Sequence, residues 1–472
     1  SDYYVSQGFI PSNIRRESVS CTLEYAYDDW AIARMAEAMG QTETAREYDR
    51  RALSYVRVFD GSTRFFRGRQ ADGGWSEPFE EFVAGRGYTA ATPWQYRFFA
   101  PHDVNGLEQL FGGREAFVRE LDRLFTLESP HEDAGLVDIT GLMGQYAHGN
   151  EPSHHMAYLY SYAGQPWKTQ ELTRRLLDEM YAPTPGGIIG NEDCGQMSAW
   201  YIFSSLGFYP VCPGSNEFVL TSPLFEKATV RLANGRTLTV TADKPRRNRY
   251  VGSVTLNGQA VDKNVITYDQ LMEGGELHFG MVPRPAFDRA SDPAAQPYSL
   301  TRGEAVSVPY TTQSLNLFTE PVDVALATTT PGAEIRYTLD GSEPDSLSEL
   351  YRTPLRVDRS LTLCAKGFKT GAAPSHALTL RAEKAVFLSP AAASVPGIRF
   401  AYYEGAFSKV ADITRGTLVS TGVMAVPSID EAPQEDHFGY VFEGLIRIPE
   451  RGVWEFFTRS DDGSVLLIDG CK

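Results

Sequence analysis

From Ser20 to about Phe208, apolar residues recur at helical spacing between polar, glycine-rich loops. The period predicts amphipathic helices over Tyr25 to Ala38, Ala45 to Val58, Arg114 to Phe125 and Trp167 to Met180, and another in the run from Met197 to Phe208. Between Phe218 and His278 the period shortens. Apolar, largely β-branched residues there alternate with polar ones, in Ala228 to Leu232, Thr237 to Thr241 and Ser253 to Leu256. The last of these runs into Asn257-Gly258, a strong hairpin signal, so this stretch predicts a small β-sandwich. A segment rich in Pro, Ala and Ser follows, and beyond it two further β-patterned stretches, the first carrying Asp340-Gly341 as a hairpin signal.

Composition narrows the classes. The chain has 472 residues, 42% hydrophobic and 12% aromatic, enough to fill the cores of several domains. Its formal net charge of −16 argues against nucleic acid and anionic membrane surfaces as partners and leaves neutral ligands as the natural ones. The five cysteines are scattered and unpaired in spacing, which fits neither a disulfide scaffold nor a zinc site. No transmembrane run stands out.

Two loops carry the candidate chemistry. Gly190-Asn191-Glu192-Asp193-Cys194-Gly195 places two carboxylates and a carboxamide on a glycine-bracketed turn just before the Met197 helix. Such a turn serves either catalysis or helix capping, since acidic and amide side chains accept from the orphan amides of a helix start. His148-Gly149-Asn150-Glu151-Pro152-Ser153-His154-His155 gathers carboxamide, carboxylate, hydroxyl and imidazole groups before an aromatic run from Met156 to Tyr162. His154 and His155 are adjacent and lack the spacing of a zinc pair, whereas the oxygen-rich neighbours suit a hard cation such as calcium.

With these motifs in hand, the first part of the chain resembles the calcium-dependent exo-α-mannosidases of glycoside hydrolase family 92. The resemblance rests on Ser18 to Trp30 (SVSCTLEYAYDDW), Trp94-Gln95-Tyr96 running to Pro101-His102-Asp103-Val104, Gly149 to His155, and Gly190 to Trp200 continuing through Gly207 to Val211. It covers about residues 1 to 285 and implies the second half of an (α/α)6 toroid followed by β-sandwich modules. Helix-pair repeats of a solenoid have a similar period, but loops this rich in motifs favour the toroid.

The resemblance also implies an inverting hydrolysis, in which an acid and a base stand roughly 6.5–9.5 Å apart to admit a water molecule. Asp193 matches the general base, and Asn191 stands where some members carry a further acid. Glu151, with Asn150 and His154 beside it, matches the sugar- and calcium-contacting position. Trp94, His155 and Glu192 complete the implied substrate-binding set, and Glu151, Asn150 and Asp193 the implied ligands of a Ca2+ ion. Mannose-containing glycans are the implied partners, and the implied setting is secreted, periplasmic or at the cell surface.

One position departs from the family pattern. In Tyr88-Thr89-Ala90-Ala91-Thr92-Pro93-Trp94, Ala90 stands where the family places the general acid, and alanine donates no proton. Three readings stay open: an engineered change made to trap a substrate, a natural mannose-binding pseudoenzyme, or a substrate such as a mannosyl phosphate whose leaving group needs no proton.

The expected boundaries are 1–217 for the helical catalytic part, 218–285 for its β-sandwich, 286–307 for the linker, 308–385 for a module resembling the chitobiase/hexosaminidase C-terminal domain, and 396–472 for an incomplete sandwich of protective-antigen type. In the last, Asp461 and Asp462 are a possible second calcium or sugar site. Both ends of the chain read as interrupted within a domain.

Overall fold

The computed structural model describes residues 2–128, 138–313, 315–387 and 395–454, together with 456, 458, 460 and 463–469. They form two compact units, residues 1–316 with 322–382, and residues 317–321 with 383–472.

In the first unit, the helix Ser18–Ala38 buries Val19, Leu23, Ala26, Trp30 and Ala33, a stripe advancing by alternating steps of four and three residues. No side chain caps its start. Its first amides instead find the carbonyl of a distant residue, with Val19 N and Ser20 N donating to Gly87 O at 3.0 and 3.1 Å. Gly87 must be glycine there: its φ is +114°, and a Cβ would sit 3.0 Å from Val19 Cγ2. The loop that follows Gly87 is thereby laid across the first turn of this helix.

The other helices that the periods predict lie at Thr42–Ala52, Arg114–Thr126, Pro166–Glu179 and Gln196–Leu206, and Val104–Leu110 is a helix the pattern does not single out. One expected helix, Ala45 to Val58, divides, since its second part winds as a 3-10 segment, Leu53–Val58. A shared core of Leu23, Phe117, Leu121, Leu176, Leu177 and Trp200, with Trp94, Phe98 and Tyr158, joins Ser18–Ala38, Arg114–Thr126, Pro166–Glu179 and Gln196–Leu206.

Between residues 208 and 282 of this unit, the described strands form two sheets. Gln259–Ala260, Tyr250–Leu256, Gly275–Val282, Thr237–Ala242 and Lys227–Arg231 lie in that order, with Gly275–Val282 parallel to Thr237–Ala242. Val265–Thr267, Glu217–Leu220 and Phe208–Tyr209 make the second sheet, and Phe208, Leu220 and Ile266 share a core with Leu238, Val240, Leu277 and Phe279. Asn257 and Gly258 have φ of 51° and 79°, the paired positive angles of a tight hairpin between Leu256 and Gln259.

The expected Asp340-Gly341 hairpin forms a turn without closing two adjacent strands. Asp340 Oδ1 accepts from Ser342 N at 3.0 Å, but the partner of Glu334–Thr338 begins only at Glu349. A second such turn, at Asp345, bonds Leu347 N and holds the chain away from pairing meanwhile. In the second unit, Ile398–Glu404 lies between Thr417–Met424 and Phe438–Glu443, antiparallel to both. Asp461 and Asp462 lie outside the described residues.

Candidate active site

The loop bearing Ala90 is held from both sides. Thr89 N donates to Ser20 Oγ at 2.9 Å, and Asn150 Nδ2 donates to Ala90 O at 3.1 Å. Ala90 is exposed, with a left-handed φ of 49° that an L side chain adopts only under tertiary constraint. Next to it Thr92 and Gln95 form a capping box that starts the short helix Pro93–Tyr96. The buried Gln95 then donates to Gln145 O at 2.7 Å, tying this loop to the strand Tyr146–Ala147 that delivers His148.

The two motif loops cross at a pair of glycines. A Cβ on Gly190, where φ is +72°, would lie 2.7 Å from Thr140 Oγ1 and 2.9 Å from Gly149 Cα, and one on Gly149 would lie 2.0 Å from Thr140 Oγ1. Only bare backbone fits there, and this brings Glu151 beside Asp193. Burial first, and then the neighbouring Asp193 carboxylate, push the Glu151 carboxyl upward from its ordinary range. Glu151 Oε1 is also buried without a hydrogen-bond partner among the described residues.

Gly190→Ala is expected to lower stability by about 1–3 kcal/mol, the cost of a strained backbone with a forced shift, and to weaken cation binding in parallel. Thermal unfolding and calcium titration check it. Unchanged values for both would mean that the crossing does not hold the acids together.

Glu192 and Asp193 divide their duties. Both Glu192 oxygens serve the helix that follows, accepting from Gly195 N and, at 3.0 Å, from Ser198 N. Hydrogen bonds from Ser198 hold its carboxyl below the usual range. Capping thus falls to Glu192, although the sequence offered its neighbours equally. Asp193 and Cys194 take φ of 47° and 59°, which turns the exposed Asp193 off the helix start, and Asn191 is exposed beside them.

The histidines form a buried, neutral floor. His154 Nε2 faces His148 O at 2.9 Å and so carries the proton, while His154 Nδ1 accepts from Gln196 Nε2 at 3.1 Å. Both ring nitrogens are engaged. Burial brings the pKa down to about 4 for His154 and for His155, and to about 3 for His148. His155 Nε2 bonds Phe98 O at 2.9 Å and anchors the loop to the core. Trp200 Nε1 donates to His154 O at 3.1 Å, joining the floor to the helix Gln196–Leu206.

Trp94 is 0% exposed, with its ring edge-on to Phe65 and under the Arg97 guanidinium. Asp103 is also 0% exposed: it accepts from Tyr55 Oη at 2.9 Å, Ser299 Oγ at 2.8 Å and Thr301 N at 2.7 Å, clamping the segment that leaves the β-part. The hydrogen bonds of Asp103 thus serve the packing of this segment.

The two motif loops thus set the Glu151 and Asp193 carboxylates beside each other at the start of the helix Gln196–Leu206. Residues 1–283 match the glycosyl hydrolase family 92 catalytic domain, and the chain belongs to that family. Residues 315–379 match the chitobiase/β-hexosaminidase C-terminal domain. Among solved structures, the chain is similar to the family GH92 α-mannosidase BT3965 of Bacteroides thetaiotaomicron in complex with mannoimidazole. The identity is 41% and the TM-score 0.61, over 64% of this chain and 40% of that one. It is also similar to the family GH92 inverting mannosidase BT2199 of Bacteroides thetaiotaomicron VPI-5482, at 38% identity and TM-score 0.59 over 64% of this chain and 42% of that one. A curated relative, an uncharacterized secreted glycosidase of Arthroderma benhamiae, is 28% identical over 58% of this chain and 37% of its own length. The chain therefore spans 37% to 42% of the length of these relatives.

Proposed function

We propose that this region hydrolyses α-mannosides from the ends of mannose-containing glycans, with inversion and with calcium. The observation that carries the reading is the meeting of Glu151 and Asp193 under the Gly149–Gly190 crossing. Two neighbouring carboxylates, one with a partnerless buried oxygen, favour a cation between them, and Asn150 keeps its Oδ1 for the same purpose because its Nδ2 is spent on Ala90. These residues fit calcium, which takes oxygen donors, better than a transition metal, since both His154 nitrogens are committed. Among the described residues no cluster of three or more His, Cys, Asp and Glu side chains has the geometry of a metal site. A calcium ion held by Glu151, Asn150 and Asp193 would supply positive charge to sugar hydroxyl oxygens.

Asp193, exposed and turned off the helix, takes the proton of the attacking water. Asn191 is read as a contact to that water or to the sugar. The buried histidines stay neutral above about pH 4 and orient the loop rather than exchanging protons. The helical part is read as half of an (α/α)6 toroid and the strands from 396 as a protective-antigen-type module. The secreted character of one relative supports an extracellular or periplasmic setting.

Ala90 also favours a second reading, a calcium-dependent mannose-binding protein without turnover. Hydrolysis of an aryl mannoside with an acidic leaving group separates the two, because that departure needs no proton. Chelation is expected to abolish mannose binding, and calcium to restore it better than zinc. In titration calorimetry Glu151→Gln should weaken calcium by at least about tenfold, or 1.4 kcal/mol. Unchanged affinity would move the ion away from this pair.

A further inference from the structure

We infer that Glu24 supplies the proton that Ala90 cannot, delivering it through a water molecule to the departing glycosidic oxygen. This rests on the mannosidase reading above and adds a residue to it. The helix Ser18–Ala38 carries the Ala90 loop on its first turn, through Gly87 O and through the Thr89 N bond to Ser20 Oγ of 2.9 Å. Glu24 lies four residues beyond Ser20, on the next turn of the same face. The Tyr96 hydroxyl faces both Ser20 and Glu24. One turn onward, Tyr27 lies within electrostatic reach of Glu24 and Tyr209, and Tyr209 Oη accepts from Gln196 Nε2 at 3.3 Å, the same amide that serves His154. Glu24 thus stands one helical turn from the residue that holds the Ala90 loop, with the Tyr96 hydroxyl shared between the two.

The titratable groups around it are Asp28 and Cys21 on its own helix, with Tyr27, and Tyr96 from the short helix opposite. Burial, followed by the Asp28 carboxylate, pushes Glu24 up to about 7, with Tyr96 opposing. Its acid form therefore persists near neutrality, where an ordinary glutamate has lost its proton. In the step, the bond from the anomeric carbon to the glycosidic oxygen breaks and its electron pair goes to that oxygen. The oxygen receives the Glu24 proton by way of the intervening water. The attacking water bonds to the anomeric carbon from the other face and yields its proton to Asp193. Glu24 regains a proton from solvent and Asp193 returns one, so a single water is consumed.

The test uses the full chain with methyl α-mannoside and 2,4-dinitrophenyl α-mannoside. Glu24→Gln, which keeps the side-chain shape, should lower kcat/KM for the methyl glycoside about 10²-fold and leave the aryl glycoside unchanged. The wild-type profile for the methyl glycoside should fall as pH rises through about 7, as the acid form is lost, and that limb should vanish in Glu24→Gln. With Ala90→Glu present, adding Glu24→Gln should cost the methyl glycoside far less than the same change costs when Ala90 is kept. Equal loss on both substrates, or a limb that survives the substitution, would overturn the assignment, because a residue that only supports Tyr96 affects both substrates alike. A wild-type chain that cleaves the aryl but not the methyl glycoside sinks the Glu24 role and leaves the mannosidase reading standing. Cleavage of neither sinks that reading, and the Glu24 role with it.

Discussion

Asp193→Asn is expected to reduce turnover of 2,4-dinitrophenyl α-mannoside by about 10³-fold or more while moving the melting temperature little. A positioned base contributes about 10²–10⁴-fold, and with this leaving group no acid is needed to reveal its loss. The structural side of the prediction comes from the division of labour on the turn. Glu192, not Asp193, holds the amides of Gly195 and Ser198, so the helix keeps its cap in the variant. Asn also tolerates the left-handed φ of 47° at this position better than most residues. Stability and activity should therefore separate. The complementary Glu192→Gln should do the reverse, costing about 0.5–2 kcal/mol of stability with a smaller effect on turnover. In Asp193→Ala, azide should restore reaction and yield the β-mannosyl azide by NMR, as expected of attack opposite an α-linked leaving group. An Asn variant that stays active, or one whose stability collapses together with its activity, would make Asp193 structural.

Ala90→Glu should raise kcat/KM for alkyl α-mannosides toward the lower end of the roughly 10²–10⁴-fold worth of a positioned acid, since Glu24 already contributes a relayed proton. The 2,4-dinitrophenyl glycoside should gain little. Position 90 can accept the change because its backbone is held independently of its side chain, by Ser20 on one side and Asn150 on the other. The side chain is exposed, and the positive φ costs glutamate about what it already costs alanine. Kinetics on the two glycosides check this directly. Equal gains on both would mean that the new carboxylate acts by binding rather than by protonating, and position 90 would lose its reading as the acid's place.

The fold was legible wherever a decision is local. The stripe of Val19, Leu23, Ala26 and Trp30 selects a helix because its period brings those side chains to one side. Asn257-Gly258 selects a tight hairpin because both residues tolerate positive φ. Asp340-Gly341 looked equivalent, but Asp340 and Asp345 bonded the backbone beyond them and turned the hairpin into a longer excursion. In the site, the composition of the two motif loops pointed to chemistry, and the paired glycines marked where backbones pass closely.

Sequence by itself determined which loops carry the oxygen donors, which family the chain resembles, and that position 90 holds a residue unable to give a proton. By side-chain chemistry alone Glu192 and Asp193 are alike and only the resemblance singles out Asp193, whereas the backbone angles of the turn aim Glu192 at the helix amides and Asp193 away. The resemblance groups Trp94 and His155 with the substrate, and the fold supplies what the sequence could not, the packing of the first against Phe65 and Arg97 and the bond of the second to the Phe98 carbonyl. Glu24 was invisible as a participant, since in sequence it is one polar position on an amphipathic helix. Tertiary structure alone decided its place, by spending the orphan amides of that helix on Gly87 and so laying the Ala90 loop one turn away from it. Periods and turn angles are set by neighbours within a few residues, whereas which carboxyl loses its water, and beside which loop, depends on contacts between segments far apart in the chain.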